Sequence, residues 1–472
     1  MTLEKIDYKK FIWPLVFGIL IWACSPFKPA SVSLAAWHMF AIFVATIVGC
    51  ITQPLPIGGV AIIGFVVTVL TGEVKMDAAI AGFGNDSIWL IVMAFFISRG
   101  FIKTGLGRRI ALIFVRLFGK KTLGLTYSLI GVDLIIAPAT PSNTARAGGI
   151  MYPIIESLAR AFGSSPADGT QRKIGSYLIF SEFHGNMITA AMFLTAMAGN
   201  PLAQSLAKGY HVNITWMNWF LGGLVPGILS LILVPWIIYK LYPPEIKETP
   251  NAKQWADDEL DQMGAFSLPE KLMAVVFVVA LLLWISGSLL HIDATLTAFI
   301  AIALLLLFGV LNWSDILHET GAWNTLVWFS VLVMMANQLN TLGFIPWLSK
   351  SIASSLHGLN WMIVLVILIL VYFYSHYLFA SATAHISAMY SALLAVALSA
   401  GVPPLLGALM LGYFGNLFAS TTHYSSGPAP ILFGSGYVAQ KDWWRLNAIL
   451  GVFYLVLWLT VGTLWMKVLG MW

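Results

Sequence analysis

Pro138-Ala-Thr-Pro-Ser-Asn-Thr-Ala-Arg-Ala-Gly-Gly149 interrupts an apolar stretch over 123–160, and Ser375-His-Tyr-Leu-Phe-Ala-Ser-Ala-Thr-Ala-His385 interrupts another over 360–398. A single crossing of a bilayer takes about 20 residues, and neither stretch reads as one simple span. Pro138 and Pro141 break the first helix, and Gly148-Gly149 permits close packing behind it. Non-helical backbone at membrane depth is tolerated only where protein or a cavity satisfies it. Both stretches therefore read as re-entrant helical hairpins, each entering and leaving on one side.

The rest of the chain supplies the lipid setting. Of its residues 59% are hydrophobic and only 10% are charged, against about 25% charged in a soluble domain. The mean hydropathy is +0.85. Apolar runs recur near 11–27, 34–51, 56–71, 86–103, 174–196, 217–240, 271–288, 294–311, 324–342, 404–422 and 447–468. The expectation is an all-α polytopic membrane protein with about eleven transmembrane helices plus the two hairpins. The 19 tryptophans and 15 tyrosines suit side chains that settle at headgroup level. Phe11–Ser25 follows Lys9 and Lys10 without a convincing cleavage pattern, and is read as the first membrane helix.

Two halves of the chain echo one another. Asn85-Asp-Ser-Ile-Trp89 aligns with Asn324-Thr-Leu-Val-Trp328 at an offset of 239, and the same offset maps Ser142, Thr144 and Arg146 onto Ser381, Thr383 and His385. Gly185-Asn186 and Gly415-Asn416 follow each hairpin at an offset of 230. With the N-terminus inside, the inside segments hold 19 of the 25 Lys and Arg residues, densest over 99–121. The first hairpin then opens from the cytoplasm and the second from outside, with the C-terminus outside, which makes the repeats inverted. The division that follows is an N-terminal helix over 1–30, a first repeat over 31–240, a cytoplasmic linker over 241–270 and a second repeat over 271–472.

A hairpin tip carries unsatisfied backbone N–H groups and the positive end of a helix dipole, so it is suited to an anion. Ser142, Asn143 and Thr144 add short donors at the first tip, and Ser381 and Thr383 at the second. Two repeat-related tips suit a ligand with two similar ends, a short dicarboxylate; phosphate or sulfate would also bridge them. Arg146 and His385 occupy equivalent positions two residues past each threonine, one a permanent cation and one titratable. An intramembrane arginine is costly and marks function; the two are expected to offset the dianion. Asn186, Asn416, Thr195, Gly199, Thr421, Thr422 and His423 are placed around the same cavity, next to two further breaks near 195–201 and 425–430. Glu182 with His184 reads as a helix-end ion pair, with a proton-relay pair as the alternative, and Asp133 as a packing or entrance residue.

Other chemistries lack their signatures. Cys24 and Cys50 offer neither a disulfide framework nor a metal spacing. No phosphate loop, zinc motif or nucleophile elbow occurs, so neither an enzyme nor an ATP-driven pump is expected. The net charge of +5 comes without a basic stretch interleaved with aromatics, so no nucleic-acid partner is expected. The acidic run Asp257, Asp258, Glu259 and Asp261 reads as a solvated part of the linker.

Ser142-Asn-Thr-Ala-Arg-Ala-Gly-Gly149, Phe379-Ala-Ser-Ala-Thr-Ala-His385 and Thr422-His-Tyr-Ser-Ser-Gly-Pro-Ala-Pro430, continued by Gly434-Ser-Gly-Tyr-Val438, resemble the divalent anion:sodium symporter family over essentially the whole chain. They are most similar to its antiporter branch of bacterial citrate/succinate and plastid 2-oxoglutarate/malate exchangers. The resemblance implies a homodimer, a scaffold and a mobile transport domain in each protomer, and an elevator movement carrying both hairpins. It implies that Ser142, Asn143 and Thr144 contact one carboxylate, and Ser381 and Thr383 the other, with Thr422 nearby. Sodium-coupled relatives usually repeat Ser-Asn-Thr at the second tip; here Ala382 replaces the asparagine. The resemblance implies that Arg146 and His385 fall close to where the relatives' sodium ions would sit. The expectation is a sodium-independent exchanger of succinate, malate, fumarate or 2-oxoglutarate in a bacterial inner membrane, without cofactors. A sodium-coupled dicarboxylate or citrate symporter is the alternative, and an anion channel the reading outside carriers.

Overall fold

Helices are the only regular structure among the residues described, 7–355 and 358–472 of this computed structural model. Such a chain suits a solvent without hydrogen bonds to offer, because a helix satisfies its backbone within one segment. In chain order the longer helices are α1 (Ile12–Ala23), α2 (Leu34–Thr52), α3 (Ile57–Leu70), α4 (Asp86–Thr104), α5 (Leu106–Phe118), α6 (Thr122–Ile136), α7 (Tyr152–Ala161), α8 (Gly175–Met192), α9 (Gly199–Lys208) and α10 (Trp216–Leu241). They continue as α11 (Ala252–Met263), α12 (Leu268–Leu290), α13 (Ala294–Leu307), α14 (Thr320–Thr341), α15 (Phe344–Ser355), α16 (Trp361–Ser375), α17 (Ala382–Ser399), α18 (Pro404–Leu417) and α19 (Gln440–Leu457). Large apolar side chains stand outward, Leu70, Leu289 and Leu307 each about 80% exposed. In water that surface would be a liability; in lipid it is the ordinary exterior.

Eleven crossings were expected. Among the described residues eight helical spans are long and apolar enough, or nine if α14 and Phe344–Ile352, bent by 67°, are counted as one. The expected spans at 56–71, 294–311 and 404–422 appear as shorter apolar helices, and α1 ends after 12 residues. Conversely, the first arm of each interrupted stretch, Thr122–Ala139 and Trp361–Leu378, is long and apolar enough to cross.

The linker is more structured than its composition suggests. Gly105, at φ +75°, ends α4 in a left-handed turn open to glycine and directs the chain into amphipathic α5. The arginines of α5 meet the acids of 241–270. Arg108 pairs with Glu259 on α11, Arg116 with Asp257 at 3.6 Å, and Arg109 Nε reaches Glu270 Oε1 at 2.6 Å. Backbone bonds from Thr122 to the Lys247 carbonyl and from Thr249 to the Lys120 carbonyl tie the two segments together. The acidic run thus has a basic helix as its partner.

Two packing groups position the site. In one, α2 packs against α1 and α3, α3 against α14, and α4 against α13 and α14. In the other, α8 packs against α6, α10 and α18, while α17 packs against α9 and α18. α4 touches α9, which brings the groups together.

Candidate functional site

Four chain breaks converge on one cavity of about 210 Å³. At the first, α6 passes through a 3-10 turn, Ala137–Ala139, and the helix resumes in a π-helical turn, Ala145–Met151. At the second, α16 ends in the turn His376–Leu378 and α17 begins at Ala382. The third lies between α8 and α9, and the fourth between α18 and the short helix Pro428–Gly434. Ser142, Asn143 and Thr144 line the cavity from the first break, and Ser381, Ala382 and Thr383 from the second. Met197 and Ala198 line it from the third, Ser426 and Gly427 from the fourth. Residues just ahead of or at helix N-termini therefore border it, where the backbone carries partial positive charge.

The two tip serines are arranged alike. Ser142 Oγ accepts from the Ala145 amide at 3.1 Å, and Ser381 Oγ accepts from the Ala384 amide at 3.3 Å. Each is an N-cap, and a capping hydroxyl that accepts from backbone keeps its own hydrogen to donate. Asn143 Oδ1 accepts from the Thr144 amide at 3.0 Å, which leaves its NH2 as the donor end. Ala382 contributes only a methyl group. Gly427 is needed for the approach of the fourth break, since a Cβ there would lie 1.9 Å from Thr144 Oγ1.

Arg146, expected to offset the dianion's charge, does not line the cavity. Its side chain is fully buried behind the tip. Nε donates to Asp133 Oδ1 at 3.0 Å, Nη1 to the Thr140 and Ala196 carbonyls at 2.7 Å each, and Nη2 to Thr189 Oγ1 at 3.4 Å. Asp133 also accepts from Asn186 at 3.1 Å and from the Thr189 hydroxyl. The arginine's charge is matched by an aspartate, and its fork braces two broken backbones, at Thr140 and Ala196. Asp133 is thus neither at an entrance nor a mere packing residue.

His385 also sits behind its tip. Its Nδ1 is 2.9 Å from His376 Nδ1, and its Nε2 is 3.1 Å from Ser375 Oγ. Asn186, Thr195, Gly199, Asn416, Thr421, Thr422 and His423, expected around the cavity, are not among the residues that line it. Thr195 Oγ1 donates to the Pro138 carbonyl at 2.5 Å, and Asn416 donates to Asn200 Oδ1 at 2.7 Å. Gly199 leaves room for Ile386, which a Cβ there would meet at 2.4 Å. Thr422 is buried, its hydroxyl accepting from the Tyr424 amide at 3.4 Å; His423 accepts from Trp444 at 3.0 Å; Thr421 is buried with no hydrogen-bond partner for its hydroxyl. Glu182 and His184 make no ion pair. Both lie within α8 rather than at its end, and His184 bonds Tyr454 and Asn447 at 2.9 Å each. Phe95 of α4 lines the cavity from the other packing group. An aromatic ring within an apolar helix carries no sequence signal for that.

A family model described as the sodium:sulfate symporter transmembrane region matches residues 5–472. The chain belongs to this family, the divalent anion:sodium symporters. It is an integral membrane transporter and not an enzyme. The chain is 57% identical over 456 residues to the putative malate transporter YflS of Bacillus subtilis, covering 96% of this chain and 95% of that protein. It is 45% identical to dicarboxylate transporter 1, chloroplastic, of Spinacia oleracea, over 99% of this chain and 83% of that one. It is 41% identical to the L-tartrate/succinate antiporter of Escherichia coli O6:K15:H31, over 98% of each. In fold, this symporter-family chain is similar to the crystal structure of the Alcanivorax borkumensis YdaH transporter, with TM-score 0.61, 12% identity and coverage of 97% of this chain and 98% of that one.

Proposed function

We propose that the protein exchanges C4 and C5 dicarboxylates, such as succinate, malate, fumarate and 2-oxoglutarate, across a bacterial inner membrane without sodium. The observation that carries this reading is the cavity between the two tips, with Ser142, Asn143 and Thr144 on one side and Ser381 and Thr383 on the other. Each tip takes one carboxylate through hydroxyl, amide and helix-end donors. The relatives' names, a putative malate transporter, dicarboxylate transporters and an L-tartrate/succinate antiporter, support that substrate class.

In this reading the two interrupted stretches are re-entrant hairpins of inverted repeats. The equivalent caps, Ser142 to Ala145 and Ser381 to Ala384, support the repeat. The group containing α6, α8, α9, α17 and α18 is the moving body and slides as an elevator along the group containing α2, α3, α4 and α14. The unit is a homodimer with its N-terminus in the cytoplasm and C-terminus outside.

One observation favours the sodium-coupled alternative: the side-chain oxygens of Thr140, Asn416, Thr421 and Ser426 are buried without a hydrogen-bond partner, and oxygens of this kind suit a hard cation. Thermal shift of the purified protein tests the substrate class. Succinate is expected to raise the midpoint where butyrate does not, and Ser142→Ala and Ser381→Ala are each expected to reduce that shift. Equal shifts by butyrate and succinate would defeat the two-carboxylate reading.

A further inference from the structure

Behind the second tip lie two histidines whose hydrogen bonds fix where their protons can be. His376 Nε2 is 2.7 Å from the Ser425 carbonyl, which can only accept, so Nε2 carries hydrogen. A neutral His376 therefore has a lone pair at Nδ1. Only one hydrogen fits in the 2.9 Å between the two Nδ1 atoms, and it belongs to His385. In the neutral pair His385 Nε2 is then an acceptor for the Ser375 hydroxyl, 3.1 Å away; Met389 Sδ, 3.0 Å from the same nitrogen, can only accept and gains a hydrogen bond once Nε2 carries a proton.

The pair has room for one more proton and no second. A proton arriving at His385 Nε2 turns Ser375 Oγ into an acceptor, and the hydroxyl hydrogen swings to the Tyr372 carbonyl, 3.2 Å away. A further proton would put hydrogens on both facing Nδ1 atoms. The pair thus holds charge zero or plus one.

The surroundings leave that charge uncompensated until something binds. Among the described residues no carboxylate forms an ion pair with either ring. The rings stack on Phe379 and Phe418, with Met389 of α17 beside Nε2. The ionisable neighbours are Tyr372 of α16, whose ring centroid is 4.9 Å from that of His385, Tyr377 of the turn, and Tyr424 and His423 of the segment before Pro428. From α17 and α18, Tyr390 and Tyr413 give their hydroxyls to backbone carbonyls. Arg146, the other candidate cation, is already matched by Asp133. The pair is also coupled to the cavity wall: the His385 backbone amide donates to the Ser381 carbonyl at 3.1 Å, and the carbonyl that His376 holds is next to Ser426.

We propose that His376 and His385 form a single-proton site, and that binding of a dicarboxylate dianion at Ser381 and Thr383 is accompanied by uptake of one proton from water onto His385 Nε2. The inference rests on the dicarboxylate reading of the cavity. By linkage the proton strengthens dianion binding as much as the dianion strengthens proton binding.

The test is isothermal titration of the full-length protein with fumarate, in pairs of buffers of different ionisation enthalpy, between about pH 5 and 8. Buffer-dependent heats are expected, amounting to uptake of up to one proton per protomer. Affinity should fall as pH rises, by at most about tenfold per pH unit. His385→Gln is expected to bind more weakly and without proton uptake; if it does not fold, the wild-type titration decides alone. Fumarate binding with buffer-independent heats throughout would overturn the proton site and leave the dicarboxylate reading intact. Absence of fumarate binding would overturn that reading, and this inference with it.

Discussion

Arg146 and Asp133 form an ion pair of 3.0 Å in which neither side chain has any exposure. Such a pair is costly to desolvate, and breaking it by removing one partner costs about 3–5 kcal/mol, because an unmatched charge is left behind. Arg146→Ala and Asp133→Ala are each expected to lower the unfolding midpoint sharply and to abolish uptake. Replacing both, as Arg146→Met with Asp133→Leu, should recover much of the stability, since the two effects are coupled rather than additive. Uptake should not return with it, because the brace on the Thr140 and Ala196 carbonyls is gone. Thermal unfolding and vesicle uptake of all three variants check this.

Gly427 allows the fourth break to lie against the first tip. A Cβ there meets Thr144 Oγ1 at 1.9 Å and Thr144 Cβ at 3.1 Å. Gly427→Ala is expected to destabilise by about 1–3 kcal/mol, the range for overpacking, and to reduce succinate uptake at least tenfold. Adding Thr144→Ala should restore the unfolding midpoint and leave uptake low, because the tip then lacks its hydroxyl.

Phe95 is the lining residue that α4 contributes to the cavity. Phe95→Ala should enlarge the site. The expected outcome is weaker succinate transport, with citrate becoming a competitor. Competition assays with labelled succinate measure both, and an unchanged citrate response would remove Phe95 from specificity.

Near the start of α4, Asn85 Nδ2 donates to Ser205 Oγ of α9 at 2.9 Å, and Lys208 lies 3.1 Å from Asp86. These bonds join the two packing groups, and an elevator must break them in every cycle. Asn85→Cys with Ser205→Cys, in a chain with Cys24 and Cys50 replaced by serine, should stop transport on oxidation and regain it on reduction. Transport that persists after complete cross-linking would exclude sliding at this contact.

What the sequence revealed was governed by how local the determinant is. The two polar interruptions were visible because Pro138, Pro141 and the Ser/Thr clusters alter the hydropathy of a contiguous run. The N-cap serines were visible for the same reason. The partner of Arg146 was not: Asp133 lies 13 residues earlier and joins the arginine only because the π-helical turn and the arm of α6 pack together. The pairing of His376 with His385 was equally hidden, since His376 read as part of the interruption. Phe95 and Met197 were invisible in principle, because an apolar residue in an apolar helix looks the same whether it faces lipid, core or cavity. Hydropathy also did not show where each apolar helix stops, because several runs are cut short by turns, as at Leu70 and Leu307.

The most direct test of the central claim is uptake of labelled succinate into vesicles containing the purified protein, either empty or preloaded with unlabelled succinate, each with and without sodium. The account expects uptake into preloaded vesicles only, unchanged by sodium. Uptake into empty vesicles that requires sodium would contradict it, and would assign the unpartnered oxygens of Thr140, Asn416, Thr421 and Ser426 to cation coupling instead.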